Sequence, residues 1–281
     1  MQSELLIATN GYKGTLPAVE YGAWLASIFG LKVTVLGVTE KPNPAAIDAH
    51  HPLENVFAHA MELLQQHRVE YQFEVQEGNA EEVIPSRAKR GNFINVIGPL
   101  GRPPIRRLIS GRSFRHLMEE IEQPIIYVPV AKLPPKRILI SVGGLGYEVD
   151  ENHIAMQIAM KTQAEITLLH IVPPVALDYP TAKTVSEHWQ TVEETDTPVG
   201  RCLRDALDVA KRNGLTANVR PRKGDVVEEI LDEVTEGGYD LLCMGSLYSS
   251  KSLRQLYTPN VTAEIADGIQ CPILTTRYGR D

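Results

Sequence analysis

The chain has 281 residues, 43% of them apolar, and a formal net charge of −7 from 28 basic and 35 acidic side chains. That length suits two domains of about 100 to 150 residues, each with its own core, and no apolar run approaches the roughly 18 residues of a membrane span. Neither half has the basic excess of a duplex nucleic-acid binder, with 13 basic against 14 acidic residues in 1–133 and 15 against 21 in 134–281.

In chain order, E4-L-L-I-A-T-N-G11 reads as a strand, with no basic leader before it, so a cytoplasmic location is the expectation. Thr15 and Pro17 then signal a helix start, followed by helical apolar spacing over 18–28. A strand at 32–38 and a second helical stretch lead to a short strand, F73-E-V-Q-E-G78, and a helix beginning N79-A-E-E-V-I84. The apolar run F93-I-N-V-I-G98, a helix over 113–121 and a strand entered through Pro124 complete the set.

After the two-proline linker A131-K-L-P-P-K-R137 the pattern begins again. R137-I-L-I-S-V-G-G144 matches the first strand, E165-I-T-L-L-H-I171 the second, V219-R-P-R-K-G224 the third, Y239-D-L-L-C-M-G245 the fourth and C271-P-I-L-T-T276 the last. D225-V-V-E-E-I230 matches the helix start at Asn79. A repeat this long is one domain rather than a solenoid unit, so the chain reads as two homologous domains, 1–132 and 136–281. Short Val/Ile/Leu runs alternating with helices predict an α/β fold, two tandem doubly wound parallel sheets with helices on both faces. Ligands of such sheets bind beyond the carboxyl ends of the strands, which directs attention to the loops after strands one, two and four.

The fourth-strand loop of the first copy, G98-P-L-G101-R-P-P-I-R-R-L-I-S-G111-R112-S113, carries the strongest chemical signal. Its glycines open the strand end to close backbone approach, and Gly111 precedes a new helix whose N-terminus attracts anions. Arg102, Arg106, Arg107, Arg112 and Arg115 crowd the same stretch, and a polyphosphate would account for glycines and arginines together. Lys13, in the loop after the first strand, is a further candidate for phosphate, with an ordinary exposed lysine as the alternative.

On this loop and the repeated strand order, the chain resembles the universal stress protein family, in its tandem form, and the wider fold of the adenine nucleotide alpha hydrolases. Nucleotide-binding members space Gly, two residues, Gly, nine residues, Gly and then Ser or Thr after the fourth strand. Gly98, Gly101 and Gly111 meet that spacing. Arg112 stands at the Ser/Thr place, with Ser113 one residue later. The resemblance also implies an Asp facing the nucleoside at the end of the first strand, where this chain has Asn10, and places Val38 against the base. It thus implies ATP or a related adenine nucleotide, with or without Mg2+, held by Asn10, Val38, Gly98, Gly101, Gly111, Arg112 and Ser113. In the second copy Tyr248 occupies the second glycine's place, Thr258 and Pro259 follow where the third glycine and its Ser/Thr belong, and Gly143-Gly144 end the first strand, so its site is expected to be degenerate.

Other chemistry leaves little trace. Cys202, Cys243 and Cys271 form no CxxC pair and suit buried packing. His50, His51 and His59 lack a second ligand motif, and His170 is either structural or lines the second crevice. With no GxSxG elbow, P-loop or paired carboxylates, dedicated catalysis is not expected, and at most slow ATP hydrolysis. The expected role is a nucleotide-dependent regulator of an unidentified protein partner, its two domains paired within the chain, with a homodimer where an edge is left exposed. The alternatives are a pseudo-symmetric interaction scaffold with both sites vestigial and, third, a hydrolase.

Overall fold

Largely apolar runs of five to eight residues, buried except at some ends, become central strands because helices must cover both of their faces. In the computed structural model, which describes residues 4–40, 53–101, 113–143, 149–174, 180–247 and 261–278, the chain divides into two compact units, Met1–Leu133 and Pro134–Asp281.

The first unit runs β1 (Glu4–Thr9), α1 (Leu16–Phe29), β2 (Lys32–Thr39), α2 (Leu53–Gln66), β3 (Tyr71–Glu77), α3 (Ala80–Ala88), β4 (Phe93–Ile97), α4 (Ser113–Glu120) and β5 (Ile125–Tyr127). Its strands lie in the order β3-β2-β1-β4-β5, each neighbouring pair parallel. The second unit runs β6 (Arg137–Ser141), α5 (Val149–Thr162), β7 (Glu165–Val172), α6 (Pro180–Glu187), α7 (Pro198–Arg212), β8 (Ala217–Lys223), α8 (Val226–Gly237), β9 (Leu241–Leu247), α9 (Val261–Gly268) and β10 (Ile273–Tyr278). Its order, β10-β9-β6-β7-β8, is the same arrangement rebuilt from the second repeat. In both, the first strand is central and the third is outermost; β3 and β8 are only partly buried, as outer strands should be.

Both predicted helix starts at Asn79 and Asp225 form as read. Asn79 accepts from the Glu81 amide, and Asp225 from those of Val227 and Glu228, satisfying N–H groups that have no partner within the helix. Thr15 behaves differently. It precedes α1, with Pro17 in the first turn, but makes no side-chain cap; its hydroxyl donates to the Tyr12 carbonyl at 2.7 Å and lies 2.6 Å from that of Thr9. The second repeat also contains more than the strand-and-helix alternation predicted. Between β7 and α7 it inserts α6 and a 3-10 segment, Trp189–Glu194, that packs against α7 and β8. The side chain of Thr197 caps α7, and Gly200 is required there because a Cβ would strike the carbonyls of Val192 and Thr195.

Each unit ties the helix after its third strand, α3 or α8 and the third helix of the shared repeat, to that strand by ions. Arg87 of α3 makes two hydrogen bonds to Glu74 of β3, at 2.7 and 2.9 Å, and its guanidinium lies 4.8 Å from the centre of the Phe93 ring. These bonds from Arg87 hold the Glu74 carboxyl below its ordinary pKa. In the second unit Glu233 of α8 accepts from Arg222 at 2.8 Å, from Arg220 at 3.3 Å and from the Tyr239 hydroxyl at 2.7 Å. Burial disfavours its charged form, yet the bonds from Arg222 and Tyr239 more than offset this, so its pKa too is lowered. The stabilisation is therefore present above the ordinary glutamate pKa and lost as pH falls through the depressed value.

The chain has two tryptophans, Trp24 and Trp189, one in each unit. In a Trp24→Phe background, where Trp189 fluorescence reports the second unit, Glu233→Gln is expected to cost about 2 kcal/mol at neutral pH. The deficit narrows in acid, where the parent carboxyl is also protonated; urea unfolding at both pH values checks the magnitude and the trend.

Candidate functional site

The register sets Ala8 beside Ile97 and Thr9 beside Gly37, so β1, β4 and β2 end together at the point where the strand order reverses. Asn10, the first residue beyond β1, is fully buried and joins these ends. Its amide donates to the Glu40 carboxylate at 2.9 Å and to the Leu100 carbonyl at 3.0 Å, while its own carbonyl accepts from the Tyr12 amide at 3.4 Å. Glu40, just beyond β2, uses its other carboxylate oxygen to accept from the Ala80 amide at 3.0 Å. The carboxylate thereby meets the positive end of α3, an arrangement worth roughly 0.3–1 kcal/mol. One amide and one carboxylate thus bind the ends of three strands to the start of a helix.

The two described glycines of the fourth-strand loop serve the chain itself. A Cβ on Gly98 would lie 2.9 Å from the Thr15 Cα and 3.0 Å from the Gly14 carbonyl oxygen, so its absence lets the end of β4 press against the turn leading into α1. Gly101 has φ +62° and faces the Tyr12 ring, which occupies the space a side chain would need. Tyr12 is 8% exposed, held by a turn in which the Gly11 amide donates to the Thr9 hydroxyl and the Thr15 amide to the Tyr12 carbonyl. The close approach expected from the glycine spacing is real, but Thr15 and Tyr12 are what approach.

Of the other predicted site residues, Val38 is fully buried within β2, which ends one residue later at Thr39. Ser113 begins α4, while Gly111 and Arg112 lie outside the described residues, as do Arg102, Arg106 and Arg107. Arg115 pairs with Glu119 one turn along its own helix at 2.8 Å, and Lys13 is exposed. His50 and His51 are outside the described residues, and His59 lies 3.9 Å from Glu20. Among the described residues no group of three or more His, Cys, Asp or Glu is placed to hold a metal, and no helix is long and apolar enough to cross a membrane.

In the second unit the place of Asn10 falls to Gly143, which has no side chain to join the strand ends. His170 lies within β7 rather than at its end; it is buried, and its Nδ1 donates to the Val142 carbonyl at 2.7 Å. Tyr248, Thr258 and Pro259 are outside the described residues. Cys243 and Cys271 are buried and Cys202 partly so.

Sequence reasoning passed over Glu40 and Tyr12. Each carries a signal in retrospect: an acidic residue directly after a strand with a buried centre, and a large aromatic between Gly11 and Gly14 in a turn. Their partners, 30 and 40 residues away along the chain in the case of Glu40 with Asn10 and Ala80, could not be read from spacing. The contacts use an amide, a carboxylate and backbone groups, which suit the holding of a strand end or the reading of a polar ligand edge and supply no nucleophile.

Because Gly101 combines a left-handed backbone with the Tyr12 contact, Gly101→Ala is expected to destabilise the first unit by about 2–4 kcal/mol. Tyr12→Ala removes the obstruction, so the double variant should cost less than the sum of the two single ones by more than about 0.5 kcal/mol in unfolding measurements. Additive costs would mean that the ring and the glycine do not touch.

The family model described as the universal stress protein family matches residues 136–277. The universal stress protein YxiE of Bacillus subtilis is 24% identical over 148 residues, spanning 50% of this chain and 98% of YxiE. Among solved structures, a universal stress protein from Archaeoglobus fulgidus superposes with a TM-score of 0.72 at 15% identity, covering 100% of this chain and 98% of its own. A functionally unknown protein of Pseudomonas aeruginosa, PA1789, gives 0.62 at 11% identity over 98% and 92% of the two chains. At such identities these superpositions speak to the fold, which they share over the whole length; with half the chain matched by the family model, the protein belongs to the universal stress protein family.

Proposed function

We propose that this chain is a nucleotide-responsive regulator whose first unit binds ATP or a related adenine nucleotide and whose second unit has a degenerate site. The observation that carries this reading is the convergence of the β1, β2 and β4 ends at the switch point, with the loop from Gly98 to Gly101 hydrogen-bonded across them through Asn10. A purine there would lie near Asn10 and Val38, with Glu40 adding an acidic edge. The phosphates would run toward Gly111, Arg112 and Ser113, where the start of α4 favours negative charge. Gly98 and Gly101 set the path of the loop, and Mg2+ would be held through phosphate oxygens and water rather than by a cluster of protein ligands. Regulation follows if nucleotide binds one partner-binding state more tightly than another. No residue of the site is assigned a catalytic part.

One feature favours a second reading, the interaction scaffold. Both donors of the Asn10 amide are engaged within the chain, and the Tyr12 ring fills the space beside Gly101.

Isothermal titration of ATP and ADP with magnesium, into protein freed of carried-over nucleotide, separates the two. The regulator reading expects saturable binding at about one per chain, lost in Arg112→Ala/Ser113→Ala with the unfolding midpoint unchanged. An unchanged midpoint distinguishes a loss of binding from a loss of fold. Absence of saturable heat up to millimolar ligand leaves the scaffold.

A further inference from the structure

Aligning the two helix starts, Asn79 with Asp225, places Glu74 opposite Arg220, Glu77 opposite Lys223, Arg87 opposite Glu233 and Arg90 opposite Glu236. At all four places the charge has the opposite sign. The ion pair between strand and helix is retained, Arg87 to Glu74 in the first unit and Arg220 to Glu233 in the second, with donor and acceptor exchanged between strand and helix. The aromatic residue below follows the exchange. Phe93, opposite Tyr239, offers its ring face to the Arg87 guanidinium, whereas Tyr239, whose ring face takes Arg137, adds a hydroxyl that donates to the Glu233 carboxylate. Arg222 strengthens the second set, bonding Glu229 at 2.6 Å and Glu236 at 3.0 Å besides Glu233.

These charges are shielded from solvent where it matters. The side chains of Arg87 and Glu233 are 13% and 4% exposed, so a like-charge encounter at either place would be weakly screened and costly.

Two repeats of one architecture on one chain are each other's nearest competitors during folding, and exchange of equivalent elements is a recurrent failure of such proteins. Here α3 on β8 would bring Arg87 and Arg90 against Arg220, Arg222 and Lys223. Likewise α8 on β3 would bring Glu229, Glu233 and Glu236 against Glu74 and Glu77. We infer that the inverted ion pairs are a pairing code between the two repeats, which admits each third helix to its own sheet and rejects it from the other. Attraction at the correct site and repulsion at the wrong one are the two halves of a specificity device.

The triple variant Glu74→Arg/Arg87→Glu/Phe93→Tyr tests this in the full chain, because it gives the first unit the second unit's trio, with a local ion pair kept but the sign difference erased at the two bonded places of the four. After dilution from denaturant, the expected result is a severalfold larger fraction of misassembled monomer and exchanged dimer, resolved by size exclusion and limited proteolysis, at an unfolding midpoint near the parent's. A second variant, Glu74→Gln/Arg87→Gln, loses the attraction together with the repulsion. Code-driven misassembly should be greater in the triple variant than in this less stable neutral one. Parent-like refolding of the triple variant, or misassembly that follows lost stability regardless of sign, would overturn the inference. Should the triple variant not fold, the comparison passes to the single variant Arg90→Glu, an exposed position two residues beyond α3, where misassembly equal to the parent's would overturn it.

Discussion

The carboxyl end of the first unit's sheet depends on the side chain of Asn10. A buried carboxamide must have its donors and acceptor met or it costs free energy, and meeting them here fixes the ends of β1, β2 and β4 and the N-terminus of α3 relative to one another. Glu40 is acceptable in that setting because one oxygen takes the Asn10 amide and the other a helix N–H. Once those points are fixed, the turn after β1 has one course, and Tyr12 comes to rest on Gly101. An Asp at position 10 would meet the Glu40 carboxylate as a like charge, so Asn10 and Glu40 make sense as a pair: one charge, carried at the end of β2.

The two repeats share a frame and differ in what they place on it. Strand order, register and the third-helix caps recur, whereas the polar joint of the first unit has no counterpart at Gly143, and the second unit adds α6 and a 3-10 segment. The ion pairs between third strand and third helix belong to the frame in position and to the individual repeat in sign.

Much of the frame was legible in the sequence, for physical reasons. Runs such as Leu5 to Ala8 and Phe93 to Ile97 have no polar face and so declare buried parallel strands, and Asn79 and Asp225 cap helices through bonds two or three residues away. Local chemistry leaves a local signature. The candidate site was legible in outline only. The spacing of Gly98 and Gly101 showed that something comes close, but not that it is Thr15 and Tyr12, since that depends on the register of β1 against β4. Thr15 looked like a cap and instead bonds to Thr9 and Tyr12. Glu40 gave no motif, because its role comes from partners in β1 and α3 rather than from its neighbours, and the 3-10 segment at Trp189–Glu194 was hidden by the absence of any helical periodicity over so few residues.

Amide hydrogen exchange followed by NMR at Ala80 and at the Asn10 side chain tests the joint most directly. The account predicts slow exchange of the Ala80 backbone amide and of the Asn10 carboxamide protons, with both accelerated together by Glu40→Ala. Exchange of either group in the parent protein at the rate of an unstructured amide, or an unchanged rate at Asn10 when Glu40 is removed, would contradict it.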